Sequence, residues 1–448
     1  MTENTLSDFF STPGEKAVGV FSLPSIKSVA DTGLPEFWLQ DHILKVLFFR
    51  GAVSGTDIAN AIALPFVGVT EVLLSQLKSE KMVEVKAGAS GYSTRSYQYA
   101  ITQIGGERAR NEILRNSYAG PTPVSLQAYN EAIKKQSASN RVIVESDINS
   151  MVEDLVLAPE TVAKLGPAAN SGSSIFLYGP PGNGKTSIAR ALGKLVNAGS
   201  MYLPYAIYVD GQIIKVYDET IHQLAETPHE SGQQDLASAL GAEQSDQRWL
   251  KVKRPFVVVG GELTLAGLDL AFNEETKYYE APFQVKANGG VLLVDDFGRQ
   301  LVRPVDLLNR WIVPLENRID FLSLHTGKKL EIPFDVMVVF STNLPPRDLV
   351  DEAFLRRLRH KIEIKDPTLE EYKRIFIKVC GFKKIEYAEQ GLQYLLREWY
   401  QKPSRKLRAS HPKELCDQII DIARYKNLEP VMTPELLDMA ASSFFVDL

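Results

Sequence analysis

The segment GPPGNGKT, Gly179 to Thr186, constrains the fold more tightly than any other stretch of the chain. It satisfies G-x-x-x-x-G-K-[ST] without a mismatch. SSIFLYG before it is a short apolar run, and TSIARALGKLV after it sets Ile188, Leu192 and Leu195 at helical spacing. The loop is therefore predicted to join the end of a buried strand to a helix N-terminus. Glycines there let backbone N–H groups turn inward around an anion, and the helix end adds partial positive charge. Lys185 reaches the phosphates and Thr186 offers its hydroxyl to a divalent cation. Gly179, Pro180, Pro181, Gly182, Asn183, Gly184, Lys185, Thr186 and Ser187 form the predicted nucleotide cradle.

A second apolar run, Val291 to Val294 in GGVLLVDDFGRQ, leads into Asp295 and Asp296. Asp295 is placed to hold the Mg2+ shell with Thr186, and Asp296 to polarise an attacking water. A third run, FDVMVVFSTN, ends at Ser341, Thr342 and Asn343, and a helical stretch with Arg356 and Arg357 follows.

These motifs, in this order, resemble the AAA+ ATPases. The resemblance covers residues 140 to 445 and implies ATP and Mg2+ as cofactors and hydrolysis of ATP to ADP and phosphate. It makes Asn343 the polar residue that positions water. Arg357, with Arg356 as the alternative, becomes the arginine that completes the site of a neighbouring subunit in a closed, hexameric homo-oligomer. After Asp366-Pro367 the sequence is helical, as in that family's lid, and Lys413 in ASHPKEL matches the lid's nucleotide-contacting cation, with Arg408 nearby. An extra hairpin turned at HTGKK is similar to the MoxR-like branch and the enhancer-binding activators. Asp296 departs from the usual glutamate and implies slow turnover. Tyr278, Tyr279 and Phe283 stand where such ATPases place central-pore contacts, with core packing as the alternative.

The first half reads differently. From Trp38, three amphipathic helices, an alternating segment around a Gly/Ser turn and a fourth helix resemble a winged helix-turn-helix over 38–116. Its candidate reading helix, Val67 to Lys78, offers Thr70, Glu71, Ser75, Gln76 and Lys78. Residues 36–115 hold nine Lys/Arg against eight Asp/Glu, so the module lacks the cation excess that phosphate contacts require. A protein-docking or subunit-assembly use is favoured over direct DNA contact.

The domain expectation is then a flexible arm at 1–37, a winged helix at 38–116, a linker at 117–139, the α/β nucleotide-binding domain at 140–367 with an insertion at about 201–250, and a helical lid at 368–448. The fold class is an α/β P-loop NTPase, a parallel sheet flanked by helices, with that lid and an N-terminal α+β winged-helix domain. The length of 448 residues suits two or three domains, and a net charge of −5 gives no global attraction to nucleic acid. Cys380 and Cys416 are expected as buried free thiols, and His222 and His229 as surface residues without metal-ligand company. With no leader-like N-terminus and no run of 18 apolar residues, a cytoplasmic, non-membrane setting is expected. The favoured function is an oligomeric ATP-driven remodelling motor on a protein client. The alternative is an ATP-gated switch with slow turnover whose winged helix binds DNA.

Overall fold

The computed structural model describes residues 21–86, 94–137, 142–225, 245–349 and 355–445. The first unit runs through α1 (Glu36–Arg50), β1 (Val53–Ser54), α2 (Gly55–Ile62), α3 (Glu71–Ser79), β2 (Val83–Val85), β3 (Gln98–Ile101) and α4 (Gln103–Arg115). Ser54 and Thr102 cap α2 and α4 by accepting the N–H of Asp57 and Gly105, both at 3.1 Å. The strands pair antiparallel in the order β1-β3-β2. The turn of the expected wing lies outside the described residues.

The helix expected from Val67 starts later. Val67 and Gly68 leave helical backbone, with φ of 78° at Gly68. A Cβ at Gly68 would lie 2.3 Å from the Lys27 carbonyl oxygen, so the N-terminal segment crosses here and only glycine fits. The described part of the expected arm is packed: Ile26 and Leu34 are buried, and Ser25 bridges Ser245.

The expected linker is also structural. β4 (Val124–Ser125) and α5 (Leu126–Lys135) lead to α6 (Glu145–Val152), α7 (Pro159–Asn170), β5 (Ile175–Tyr178) and α8 (Lys185–Val196). The insertion supplies β6 (Ser200–Pro204), β7 (Ala206–Val209), β8 (Gln212–Lys215) and β9 (Trp249–Lys253). After it come β10 (Phe256–Val259), β11 (Ala271–Asn273), β12 (Tyr278–Glu280), β13 (Val291–Val294), β14 (Ile319–Ser323), β15 (Lys329–Pro333), β16 (Met337–Thr342) and β17 (His360–Glu363). β4 pairs with β7 in a sheet ordered β11-β12-β8-β7-β4. Hairpin β14–β15, the pair β6–β9 and α5 close over this sheet on one core that includes Tyr129, Leu203, Ile207, Val252, Leu322 and Ile332. Linker, insertion and hairpin thus build one β-rich body, because each carries an apolar face that none buries alone.

The nucleotide-binding sheet is parallel throughout, in the order β10-β13-β16-β5-β17. The central strands β13 and β16 are buried along their whole length, as expected where helices cover both faces. α6, α7 and α8 pack on one face around Ile148, Leu165, Ile188 and Leu192. The helix Pro304–Asn317 packs on the other through Leu307, Leu308 and Trp311. A helical lid, Leu369–Lys383, Glu389–Leu395, His411–Lys426 and Pro434–Phe444, closes around Tyr372, Phe376, Leu392, Leu415 and Leu437. Cys380 and Cys416 are buried free thiols in that core, as expected. The α/β P-loop architecture with its helical lid is therefore present. Among the described residues no single helix is long and apolar enough to cross a membrane.

Tyr278, Tyr279 and Phe283 are packing residues. Tyr279 is 1% exposed, Tyr278 meets the Tyr118 ring edge-on at 5.7 Å, and Phe283 packs on the core under β13. His222 is buried: its Nδ1 accepts the Asp218 N–H at 3.0 Å and its Nε2 faces the Lys286 carbonyl at 2.9 Å. Polar neighbours in the sequence hid a histidine whose two nitrogens are satisfied by backbone. His229 lies outside the described residues.

Candidate functional site

β5 delivers the chain to Gly179, whose φ of 140° and missing side chain let the loop pass 2.2 Å, measured from an added Cβ, from the Ile364 carbonyl oxygen. Gly184 then opens α8 in left-handed backbone. Lys185 begins the helix and is buried. Its Nζ donates to the carbonyls of Gly179 and Pro180, both at 2.9 Å, which folds the side chain back across the mouth of the loop. Burial lowers the pKa of this amine, while the charges of Asp296 and Asp295 raise it and Arg408 lowers it.

The ends of β13 and β16 meet the loop. The Thr186 hydroxyl donates toward both oxygens of Asp295, at 3.1 and 3.0 Å. A hydroxyl and a carboxylate are hard oxygen donors, the type of group that would hold Mg2+ or its water shell. Asp296 sits in left-handed backbone at φ 48°, which swings its carboxylate out of the strand line and toward β16. There Asn343 Nδ2 donates to Asp296 Oδ1 at 3.1 Å. The two side chains expected to handle water are therefore in contact.

A cavity of about 500 Å3 lies between loop and lid. Pro181 to Ser187, Asp296, Ser341, Asn343 and Lys413 line it. Lys413 faces it while paired with Asp417 at 3.3 Å. Apolar and polar residues absent from the motif reading complete the wall: Leu155, Val156 and Leu157 from the segment between α6 and α7, and Ile375 and Val379 from the lid. Their apolar surface opposite the phosphate loop suits the flat face of a base.

The lid is tied to the loop by a network that the sequence did not reveal. Asn183 Nδ2 donates to Asp366 at 2.7 Å, its Oδ1 accepts the Ala409 N–H at 3.2 Å, and the Ser410 N–H donates to the Gly182 carbonyl at 2.8 Å. Arg408 pairs with the same Asp366 carboxylate. Arg408 also stands close to the loop, where a Cβ at Gly182 would lie 3.7 Å from the Arg408 Cβ, while Lys413 lines the cavity itself. These contacts join residues far apart in the chain and have no local pattern.

Arg356 and Arg357 are not among the residues lining the cavity. Arg357 Nε donates to Glu316 at 2.6 Å, and Arg356 is exposed. Among the described residues no cluster of three or more His, Cys, Asp or Glu is arranged to hold a metal ion.

In the other unit, three of the polar residues of α3, Glu71, Ser75 and Gln76, are engaged within the unit. Gln76 donates to Glu36 at 2.5 Å and accepts from Gln40 at 3.2 Å, Ser75 donates to the Glu71 carbonyl, and Glu71 accepts from Thr94. They hold the unit's own helices and strands together.

A family profile described as a domain of unknown function (DUF8689) matches residues 368–443, the lid. The chain is 24% identical over 254 residues to the proteasome-activating nucleotidase of Methanocaldococcus jannaschii, which covers 54% of this chain and 56% of that protein. It is 23% identical over 257 residues to the same nucleotidase of Methanococcus vannielii, covering 56% and 60%. The chain thus spans little more than half the length of these curated relatives. Among solved structures, NtrX of Brucella abortus aligns with a TM-score of 0.39 at 14% identity, over 65% of this chain and 56% of that one. The RuvB Holliday junction branch migration motor of Thermotoga maritima aligns with a TM-score of 0.35 at 14% identity, over 64% and 68%.

Proposed function

We propose that this chain, whose phosphate loop, parallel sheet and helical lid resemble those of the AAA+ ATPases, binds Mg2+-ATP between Gly179–Ser187 and the lid and hydrolyses it as a homo-oligomer acting on a protein client. The convergence of Thr186–Asp295 and Asp296–Asn343 on one face of the cavity carries this reading. Thr186 and Asp295 would hold Mg2+, which supplies charge neutralisation at the phosphates when bound. Lys185 exchanges two carbonyl partners for phosphate oxygens. Asp296, held by Asn343, takes up the proton of the attacking water. Arg357 lies off the chain's own cavity, which agrees with a role in a neighbour's site, in a closed hexamer.

The first unit has the helix and strand order of a winged helix, and we read it as a protein-docking module. The occupied polar residues of α3 and the near balance of charge support this over direct DNA reading. The relatives named for proteasome activation fit a protein client. Lys185→Ala should lose Mg2+-ATP binding at unchanged melting temperature, measured by calorimetry with the full chain. Unchanged affinity would remove the basis of the proposal. Steep, salt-dependent, sequence-specific DNA binding would favour the gated-switch alternative.

A further inference from the structure

A second cavity, about 740 Å3, opens between the first unit and the β-rich body, far from the phosphate loop in the sequence elements that build it. α1 and α4 form one wall. The β7–β8 turn, β11–β12 and the β14–β15 turn form the other.

Lys45 lines this cavity and is 3% exposed. Its Nζ donates to the Asn116 carbonyl at 3.1 Å and stands 5.8 Å from the centre of the Trp38 ring. No carboxylate of the described residues pairs with it. The acids around the cavity are each claimed by another cation: Asp41 by Arg108 at 2.5 Å, Glu112 by Arg115 at 3.0 Å, Glu274 by Lys277 at 2.8 Å, and Asp210 by Lys328. Beside Lys45, the Asn116 Oδ1 accepts the Tyr118 N–H at 2.8 Å, whereas the buried Asn116 Nδ2 has no acceptor among the described residues. Two buried donors therefore meet at one wall without enough acceptors, and leaving a buried donor unmade costs about 1–3 kcal/mol. Burial pulls the Lys45 amine down to about 8, with Glu112 and Asp41 pushing it up.

The missing partner is an acceptor, and the lining sets its charge. With Asp41, Glu112, Glu274 and Asp210 neutralised by Arg108, Arg115, Lys277 and Lys328, Lys45 is the lining cation left without a carboxylate among the described residues, so the site balances one negative charge and repels a polyanion. Trp38 and Phe272, the latter stacked on His325 at 4.5 Å, give the remaining wall an aromatic surface. We propose that this cavity binds a small monocarboxylate, its carboxylate accepting from Lys45 Nζ and Asn116 Nδ2 and its apolar part lying on Trp38 and Phe272. The site is separate from the nucleotide cavity, and its occupant bridges the first unit to the β14–β15 hairpin.

The test uses the full chain without nucleotide and 4-fluorobenzoate as probe, observed by fluorine NMR. Lys45→Met keeps the side-chain length and removes the cation but leaves the Asn116 carbonyl without its donor, so its fold is verified by melting temperature before the probe is added. Asn116→Asp keeps the acceptor for Tyr118 and gives Lys45 an internal carboxylate. Both should weaken the probe at least tenfold, and neutral 4-fluorobenzamide should bind wild type at least tenfold more weakly than the benzoate. Absence of benzoate binding to wild type at millimolar concentration would overturn the proposal, as would wild-type affinity in either folded variant. Stronger binding of inorganic phosphate, displacing the probe at equal concentration, would overturn the monocarboxylate assignment.

Discussion

Asp296→Asn isolates the step assigned to the second carboxylate. The residue sits at φ 48°, a conformation that asparagine tolerates as well as aspartate, so the strand end should keep its shape. The Asn343 Nδ2 donor, 3.1 Å from Oδ1, retains an amide oxygen as acceptor. Stability should therefore change by less than about 0.5 kcal/mol. The lost element is the base, and positioned proton transfer contributes roughly 10²- to 10⁴-fold, or about 3–5 kcal/mol in the barrier. Nucleotide affinity should hold or rise, because one negative charge leaves the neighbourhood of Lys185 and the phosphates. Asp296→Glu inserts one carbon–carbon bond of ~1.5 Å. It should keep or raise turnover, at a local backbone cost of about 1 kcal/mol in this left-handed position. Single-turnover hydrolysis, melting temperature and nucleotide calorimetry on the three proteins decide the matter. If both variants turn over like wild type, Asp296 takes no part in activating water and the Asn343 contact is structural.

Arg357→Ala should bind ATP normally and hydrolyse it poorly, and mixing it with Lys185→Ala should restore turnover that neither has alone; mixed assemblies verified by mass without regained turnover would refute the role in trans. Arg248→Met should destabilise by about 3–5 kcal/mol, read from urea midpoints, because it strands the buried Asp246 carboxylate and the Thr32 and Pro123 carbonyls that Arg248 joins. Replacing Asp246 by Leu as well should recover part of that loss. Burial, helped by the Lys45 charge, depresses His42 from 6.5 to about 3. The unfolded chain therefore gains a proton that the folded one refuses. Stability should be unaffected above pH 6.5 and fall by about 2 kcal/mol from this residue at pH 5. His42→Phe, which keeps the stack on Trp38, should flatten that slope between pH 7.5 and 5; an unchanged slope would refute the assignment.

The phosphate loop, the β13 carboxylates and Asn343 were legible because each lies at the end of an apolar strand, where local pattern and chemistry coincide. The parallel sheet and lid followed from the same pattern. The Asn183–Asp366–Arg408 network was not legible, since its members interact across 183 and 42 positions and none is unusual beside its sequence neighbours. The β-rich body was missed for a similar reason. Val124, Ile207 and Leu322 belong to segments that look like a linker, an insertion and a hairpin, and only their common core makes them one unit. Tyr279 was ambiguous on its own, because an aromatic residue looks alike in a pore and in a core.

Ala206 and Ile213 of the β7–β8 hairpin lie within the hydrophobic core of the first unit, where Trp38 meets Tyr208 edge-on at 5.3 Å, and Arg248 fastens both to the chain before α1. Mechanically, the N-terminal module is a stiff outrigger rather than a tethered float. The module and the β7–β8 hairpin share one hydrophobic core, so a partner bound to the module is held at a fixed distance from the β-rich body.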